Sequence, residues 1–207
     1  MDIFDIAYLQ RVGEQMEAAQ AEYESGVRPL APNVAYQTSL FSGADCQRLM
    51  SELRGQHWHT GLVGVAGIGA VDTGRYSALE TFFDPSEDRF KWVMDQLWPC
   101  ICAAGVKLGL NGLRLAEQAR IVRYRAGDHF NWHKDSDATA PRRLTVSVQL
   151  SEPDSYAGGG LIVLGDSGEW HFAANDLGAA CLFPAERLHR VAPVESGERL
   201  ALVCWCY

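Results

Sequence analysis

The chain is poor in basic side chains: 18 Lys and Arg stand against 26 Asp and Glu, a formal net charge of −8. That deficit removes the attraction to phosphate backbones on which nonspecific nucleic-acid binding relies, so a nucleic-acid partner is disfavoured. No apolar run reaches the roughly 20 residues of a membrane span. The opening MDIFDIAYLQ lacks the basic and apolar regions of a secretory signal. A cytoplasmic protein with no membrane partner is expected. The six cysteines include no CxxC knuckle: Cys46 and Cys181 stand alone, and Cys100/Cys102 and Cys204/Cys206 are CxC pairs. Free thiols are expected rather than a disulfide framework or a zinc site. Internal repeats and long low-complexity runs are also missing. What remains is an ordinary globular composition, 47% hydrophobic over 207 residues, enough for one buried domain spanning 1–207.

Two regions differ in rhythm. In residues 3 to 24, Ile3, Ile6, Leu9, Val12 and Met16 stripe one face of a helix, and Gly26, Pro29 and Pro32 end the pattern. VAYQTSLF alternates as a strand, and SGADCQRLMSEL reads as a helix opening at a capping Ser42. The glycine-rich stretch 61–77 contains GxG spacing but no strand-turn-helix frame for a nucleotide loop. DPSEDRFKWVMDQLWPCICAAGVKLGL predicts a helix or two, interrupted near Pro99. Residues 1–115 therefore read as a mostly helical support. From residue 116 short β-rich runs recur: AEQARIVRY, RLTVSVQLS, GGLIVLG, GEWHFA, AACLFP, HRVAPV and RLALVCWCY. Their spacing predicts a sandwich or barrel over 116–207.

The segment GDHFNWHKDSD crowds possible metal ligands. Read as a helix, it would place His129 and His133 at i and i+4, but Phe130 stands where a zinc protease needs glutamate. Read as extended chain, His133 and Asp135 project to the same side. His189, opening the run HRVAPV, is the best third ligand. Two histidines and a carboxylate leave metal positions open, the arrangement of non-haem Fe(II) oxygenases. Arg199 lies ten residues on. With ESGE as a turn, it shares a strand face with Ala201, Val203 and Trp205 and needs an anion, for which its fork suits a carboxylate.

Together these segments resemble the Fe(II)- and 2-oxoglutarate-dependent dioxygenases of the prolyl-4-hydroxylase-like branch. RYRAGDHFNWHKD is similar to that branch's Y-x-x-G-x-x-F-x-x-H-x-D, and YAGGGLIVL to its Y-x-G-G-x-L. GAACLFPAERLHRVAPVESGERLALVCW resembles the closing half of PKHD-type hydroxylases. The resemblance implies a mainly β fold, a double-stranded β-helix (jelly roll) with N-terminal helices packed on one sheet. It implies His133, Asp135 and His189 as iron ligands and Arg199 as partner of the distal carboxylate of 2-oxoglutarate, with Tyr124 lining that pocket. Gln149 stands where relatives often carry Tyr or Phe, and its amide can donate to a carboxylate. Gly160 replaces the usual acidic residue after the glycine pair.

The implied activity is hydroxylation of an unactivated C–H bond with O2, converting 2-oxoglutarate to succinate and CO2, with ascorbate as an accessory reductant. Halogenating relatives have a small residue at the position of Asp135, so aspartate favours hydroxylation. An amino acid, a peptide, or a prolyl or other side chain of a protein is the leading substrate class. A small non-peptide metabolite and a non-catalytic sensor of metal or oxoacid are the alternatives. Arg75, Arg142 and Trp132 are candidate substrate contacts, weighed against surface charge for the arginines and packing for the tryptophan.

Overall fold

Alternation along the later strands divides their side chains between two environments. This computed structural model describes residues 34–65, 68–115, 118–136, 138, 140–168 and 170–207; the helix expected over 3–24 lies outside them. In chain order the elements are β1 (Tyr36–Ser39), α1 (Gly43–Glu52), β2 (His59–Thr60), β3 (Val63–Val65), β4 (Ile68–Ala70), β5 (Tyr76–Ser77) and β6 (Leu79–Phe83). There follow α2 (Lys91–Leu108), β7 (Ala119–Arg125), β8 (His129–His133), β9 (Leu144–Gln149), β10 (Tyr156–Gly158) and β11 (Leu161–Leu164). The chain closes with β12 (Trp170–Phe172), β13 (Ala179–Pro184), β14 (His189–Val191) and β15 (Val194–Cys206).

The larger sheet runs β1-β13-β9-β15-β7-β6-β2, with β10 also paired to β15; the smaller runs β12-β11-β14-β8-β5. Along β9 and β15, Leu144, Val146, Val148, Leu202, Cys204 and Cys206 face the helices and are buried with Leu49 of α1 and Val93, Leu97, Ile101 and Ala104 of α2. That burial is what these apolar spacings of a helix and a strand are for. The other face packs against the smaller sheet. Val122, Tyr124, Cys181 and Phe183 meet Tyr76, Leu161, Val163 and Val191. The result is a jelly roll with helices on one sheet, as the resemblance implied.

Helix α1 opens with the expected cap: the Ser42 hydroxyl accepts from Asp45 N, and the Asp45 carboxylate accepts from Ser42 N.

Three expectations are corrected. Residues 1–115 are not mostly helical in their described part, because β1, β2 and β6 extend the larger sheet and β5 the smaller. The glycine-rich stretch hides this, since its β3–β4 hairpin and two-residue strands carry too few side chains to show a period. Pro99 does not interrupt α2; it lies on the exposed face, where water can satisfy the carbonyl it leaves unbonded. ESGE is not a turn but part of the 13-residue β15. Gly197, at φ +74°, passes the backbone of Ser155 and Tyr156 so closely that a side chain there would collide.

No helix among the described residues is long and apolar enough to cross a membrane.

Candidate metal centre

β8 and β14 pair antiparallel with His133 opposite His189, so both imidazoles leave the same face of the smaller sheet. Between that pair and Val191–Phe130 the register shifts, a bulge that turns Phe130 and His133 to the same side. Phe130 then stacks on the His133 ring, with centroids 3.4 Å apart. Asp135 follows the strand and is fixed by its main chain, since its N–H donates to the Ala185 carbonyl at 2.9 Å.

Each imidazole donates Nδ1–H to a main-chain carbonyl, His133 to Asn131 at 2.8 Å and His189 to Arg187 at 2.9 Å. The rings therefore turn Nε2 inward, 3.5 and 3.3 Å from the Asp135 oxygens. Burial, reinforced by neighbouring His189, holds the His133 imidazole below its ordinary pKa. Burial alone pushes the Asp135 carboxyl up, but the His189 and His133 imidazoles beside it outweigh that and hold it well below the usual range. Lone pairs of three side chains, with ligand atoms within 4.8 Å of one another, thus converge on one point. A cation resolves that convergence, and two imidazoles with one carboxylate suit Fe(II). Thr145 Oγ1 donates to Asp135 Oδ2 at 2.7 Å and fixes the orientation of the carboxylate.

A buried arginine lies in the same interior. Arg199 is 5% exposed, and among the described residues no carboxylate pairs with it; its guanidinium lies over the Tyr124 ring at 5.8 Å. Rings connect it to the metal centre: Tyr124 packs on Tyr76 at 6.4 Å, Tyr76 on Phe130 at 4.1 Å, and Phe130 on His133. Burial raises the phenol pKa of Tyr124, so the ring is neutral and can donate a hydrogen bond. Buried Glu80 is held by Tyr76 Oη at 2.7 Å and by Arg120 at 3.1 Å. It is therefore not available to neutralise Arg199.

The pattern of the 2OG-Fe(II) oxygenase superfamily matches residues 119–207, which contain all three ligands and Arg199. Over those residues, under half of the chain, this protein is similar to members of that superfamily. A PKHD-type hydroxylase of Parvibaculum lavamentivorans is 43% identical over 88 residues, 41% of this chain and 39% of the relative. One from Shewanella sp. (strain MR-7) is 37% identical over 89 residues, again 39% of its length. The match thus spans about two fifths of these relatives. A prolyl hydroxylase of Trichoplax adhaerens, solved with a hypoxia inducible factor peptide, superposes with TM-score 0.68 at 16% identity over 84% of each chain. A Pseudomonas putida prolyl-4-hydroxylase gives 0.59 at 23%, covering 84% of this chain and 92% of its own. These likenesses establish the fold.

Within this fold the other candidates fall in different places. Arg142 Nη1 donates to the Asp135 carbonyl at 3.3 Å, and its guanidinium lies 4.0 Å from the Trp205 ring. Arg75 is exposed at the start of β5; its carbonyl accepts from Asn131 N. Trp132 projects away from the metal and packs edge-on to Trp170, with Arg190 over both rings. The Gln149 amide donates both its hydrogens, to the Ser151 carbonyl at 3.1 Å and to Tyr156 Oη at 2.9 Å. Gly160 has open space beside its Cα. His129 bonds carbonyls of Gly127 and Gly74, and Asp128 accepts from Ser77 and Arg125 N, so neither reaches the metal.

Sequence reasoning missed Thr145, Phe130 and Trp205. Thr145 and Trp205 are register partners on the interior face of β9 and β15, and Arg120 joins Arg142 over the indole at 4.4 Å. The indole Nε1–H is buried without a partner among the described residues. Period two from Arg199 did put Trp205 on this face, but only the pairing of β9 with β15 puts it beside Thr145.

Proposed function

We propose that this protein is an Fe(II)- and 2-oxoglutarate-dependent dioxygenase that hydroxylates an unactivated C–H bond of an amino acid, peptide or protein side chain. One observation carries the reading: three side chains able to hold a metal converge at one end of a row of packed rings, and at the other end lies a buried arginine that no described carboxylate neutralises. His133, Asp135 and His189 would hold iron; Arg199, beside neutral Tyr124, would hold the distal carboxylate of 2-oxoglutarate. The bound iron and cosubstrate supply the oxidising power, as 2-oxoglutarate and O2 are converted to succinate and CO2 with transfer of one oxygen atom to substrate.

The chain's own contribution is orientation. Main-chain carbonyls fix both imidazole tautomers, Thr145 fixes the carboxylate, and the rings from Phe130 to Tyr124 pack between the ligand set and Arg199. The Arg142–Trp205 pair, next to Asp135, is the surface on which substrate would lie. The Trichoplax enzyme is solved with a peptide, and a peptide or protein side chain is the leading substrate class here on that likeness.

Anaerobic protein with Fe(II) and 2-oxoglutarate should develop a weak visible charge-transfer band, and admission of O2 should yield succinate. Asp135→Ala and His189→Ala should abolish both. Full succinate formation by Asp135→Ala would remove that residue from the iron. Absence of band and succinate in the unaltered protein would leave the sensor reading.

A further inference from the structure

The cosubstrate reading leaves one position unexplained. Gln149 is 3% exposed on the interior face of β9, opposite Ala201, which places it diagonal to Arg199 on the neighbouring strand. An amide at that place could offer N–H to the carboxylate that Arg199 holds. Its two N–H groups are already committed, to the Ser151 carbonyl and Tyr156 Oη. The amide has no donor left.

The second of those bonds has a direction. Because Gln149 Nε2 donates to the phenol oxygen of Tyr156, the phenol's own hydrogen is not used in that bond and can be donated onward. Tyr156 opens β10 and pairs with Gly197 of β15, two residues from Arg199. Gly159 stands between the two side chains. A Cβ built on it would lie 2.8 Å from Val194 Cγ2, 3.2 Å from Arg199 Cδ and 3.5 Å from Tyr156 Cε2. Its φ of +66° is also one that other residues rarely adopt. The glycine thus lets the arginine stem and the tyrosine ring close on one point.

We propose that the Tyr156 hydroxyl is the second donor to the distal carboxylate of 2-oxoglutarate, and that Gln149 is a positioning residue that aims it. The inference rests on the oxygenase reading above and deepens it. The donor comes from β10 rather than from position 149, and Gln149 sets which way the phenol hydrogen points. Arg199 and Tyr156 together measure where the acid must end. An oxoacid without a distal carboxylate would use neither.

The experiment compares Tyr156→Phe, Gln149→Leu and the double variant with the unaltered full chain, anaerobically and loaded with Mn(II). Dissociation constants are measured by calorimetry for 2-oxoglutarate and for 2-oxopentanoate, which has the same carbon chain without the second carboxylate. A hydrogen bond to a charged acceptor sets the size of the loss, and Tyr156→Phe should weaken 2-oxoglutarate roughly tenfold or more. Binding of 2-oxopentanoate should be unchanged. Gln149→Leu should weaken 2-oxoglutarate in the tyrosine background and add nothing in the phenylalanine background. Equal weakening of both acids by Tyr156→Phe, or none of either, would overturn the proposal and leave the oxygenase reading standing. Failure of the unaltered protein to bind 2-oxoglutarate at all would overturn both.

Discussion

Replacing Arg199 with methionine tests whether a charge is kept in the interior for a ligand. The stem survives and the guanidinium is lost. In the ligand-free protein a buried charge without a carboxylate partner costs several kcal/mol, and among the described residues it is offset by the Tyr124 ring at 5.8 Å. The methionine variant should therefore be at least as stable as the unaltered protein when no oxoacid is present. With 2-oxoglutarate the order should reverse. Two charge-assisted hydrogen bonds at about 1.5–3 kcal/mol each amount to about 3–6 kcal/mol, or roughly 10²- to 10⁴-fold in affinity. At a hundred times the dissociation constant, ligand stabilises a fold by about 2.7 kcal/mol. For a chain this size each kcal/mol moves the melting temperature by about 2–4 °C. Scanning calorimetry of the Mn(II) protein should show the unaltered chain rising roughly 5–10 °C with 2-oxoglutarate, and the methionine variant not rising at the same concentration. An undiminished rise would refute the anion assignment. A ligand-free variant destabilised by more than about 2 kcal/mol would show that Arg199 serves the fold.

Two other predictions concern residues outside the ligand set. Thr145→Val keeps the shape of a buried strand residue but removes the donor to Asp135 Oδ2, and loss of such an orienting partner typically lowers metal affinity about 10- to 100-fold. Anaerobic titration with Fe(II) would measure it, and an affinity within twofold of the unaltered protein would show that the hydroxyl does not orient the ligand. Among the cysteines only Cys102 is exposed, while burial raises the thiol pKa of Cys46 and Cys100 to about 11 and of Cys181 and Cys206 to about 12. Native protein should release one equivalent of thiolate chromophore quickly from a disulfide reagent at pH 8, and a second fast thiol would contradict the packing.

The strands after residue 118 were legible because their period is carried by large side chains. RLTVSVQLS, AACLFP and RLALVCWCY each alternate between a helix-facing and an interior row, and β9, β13 and β15 fall on them. The HxD pair and His189 were legible for the same reason, since an antiparallel return was enough to bring them together. The two-residue strands β2 and β5 were not, because two residues show no period. Trp132 was ambiguous between substrate contact and packing until the bulge in β8 fixed the sides of that strand. Gln149 was read as an amide able to donate to a carboxylate, but its hydrogens are spent on Ser151 and Tyr156, a matter of geometry across three strands that spacing along one cannot express.

The division of labour along β9 explains how the interior can be so polar. Thr145, Ser147 and Gln149 face the site, and Leu144, Val146 and Val148 alternate with them toward the helices, every one buried. Buried polar groups cost stability unless they are bonded, and Arg199 is costly in the absence of an anion. The apolar row is fully closed, with Leu144, Val146 and Val148 at 0% exposure against Leu182, Leu202 and the α2 residues. Cohesion therefore comes chiefly from the face that carries no chemistry, and each strand supplies both functions through adjacent residues. That is why Thr145→Val is a test of the metal and Arg199→Met a test of the ligand, rather than two ways of unfolding the protein: neither substitution touches the row that packs against the helices. A large loss of stability from either would mean that the interior row, and not the helix-facing one, holds the sheets together.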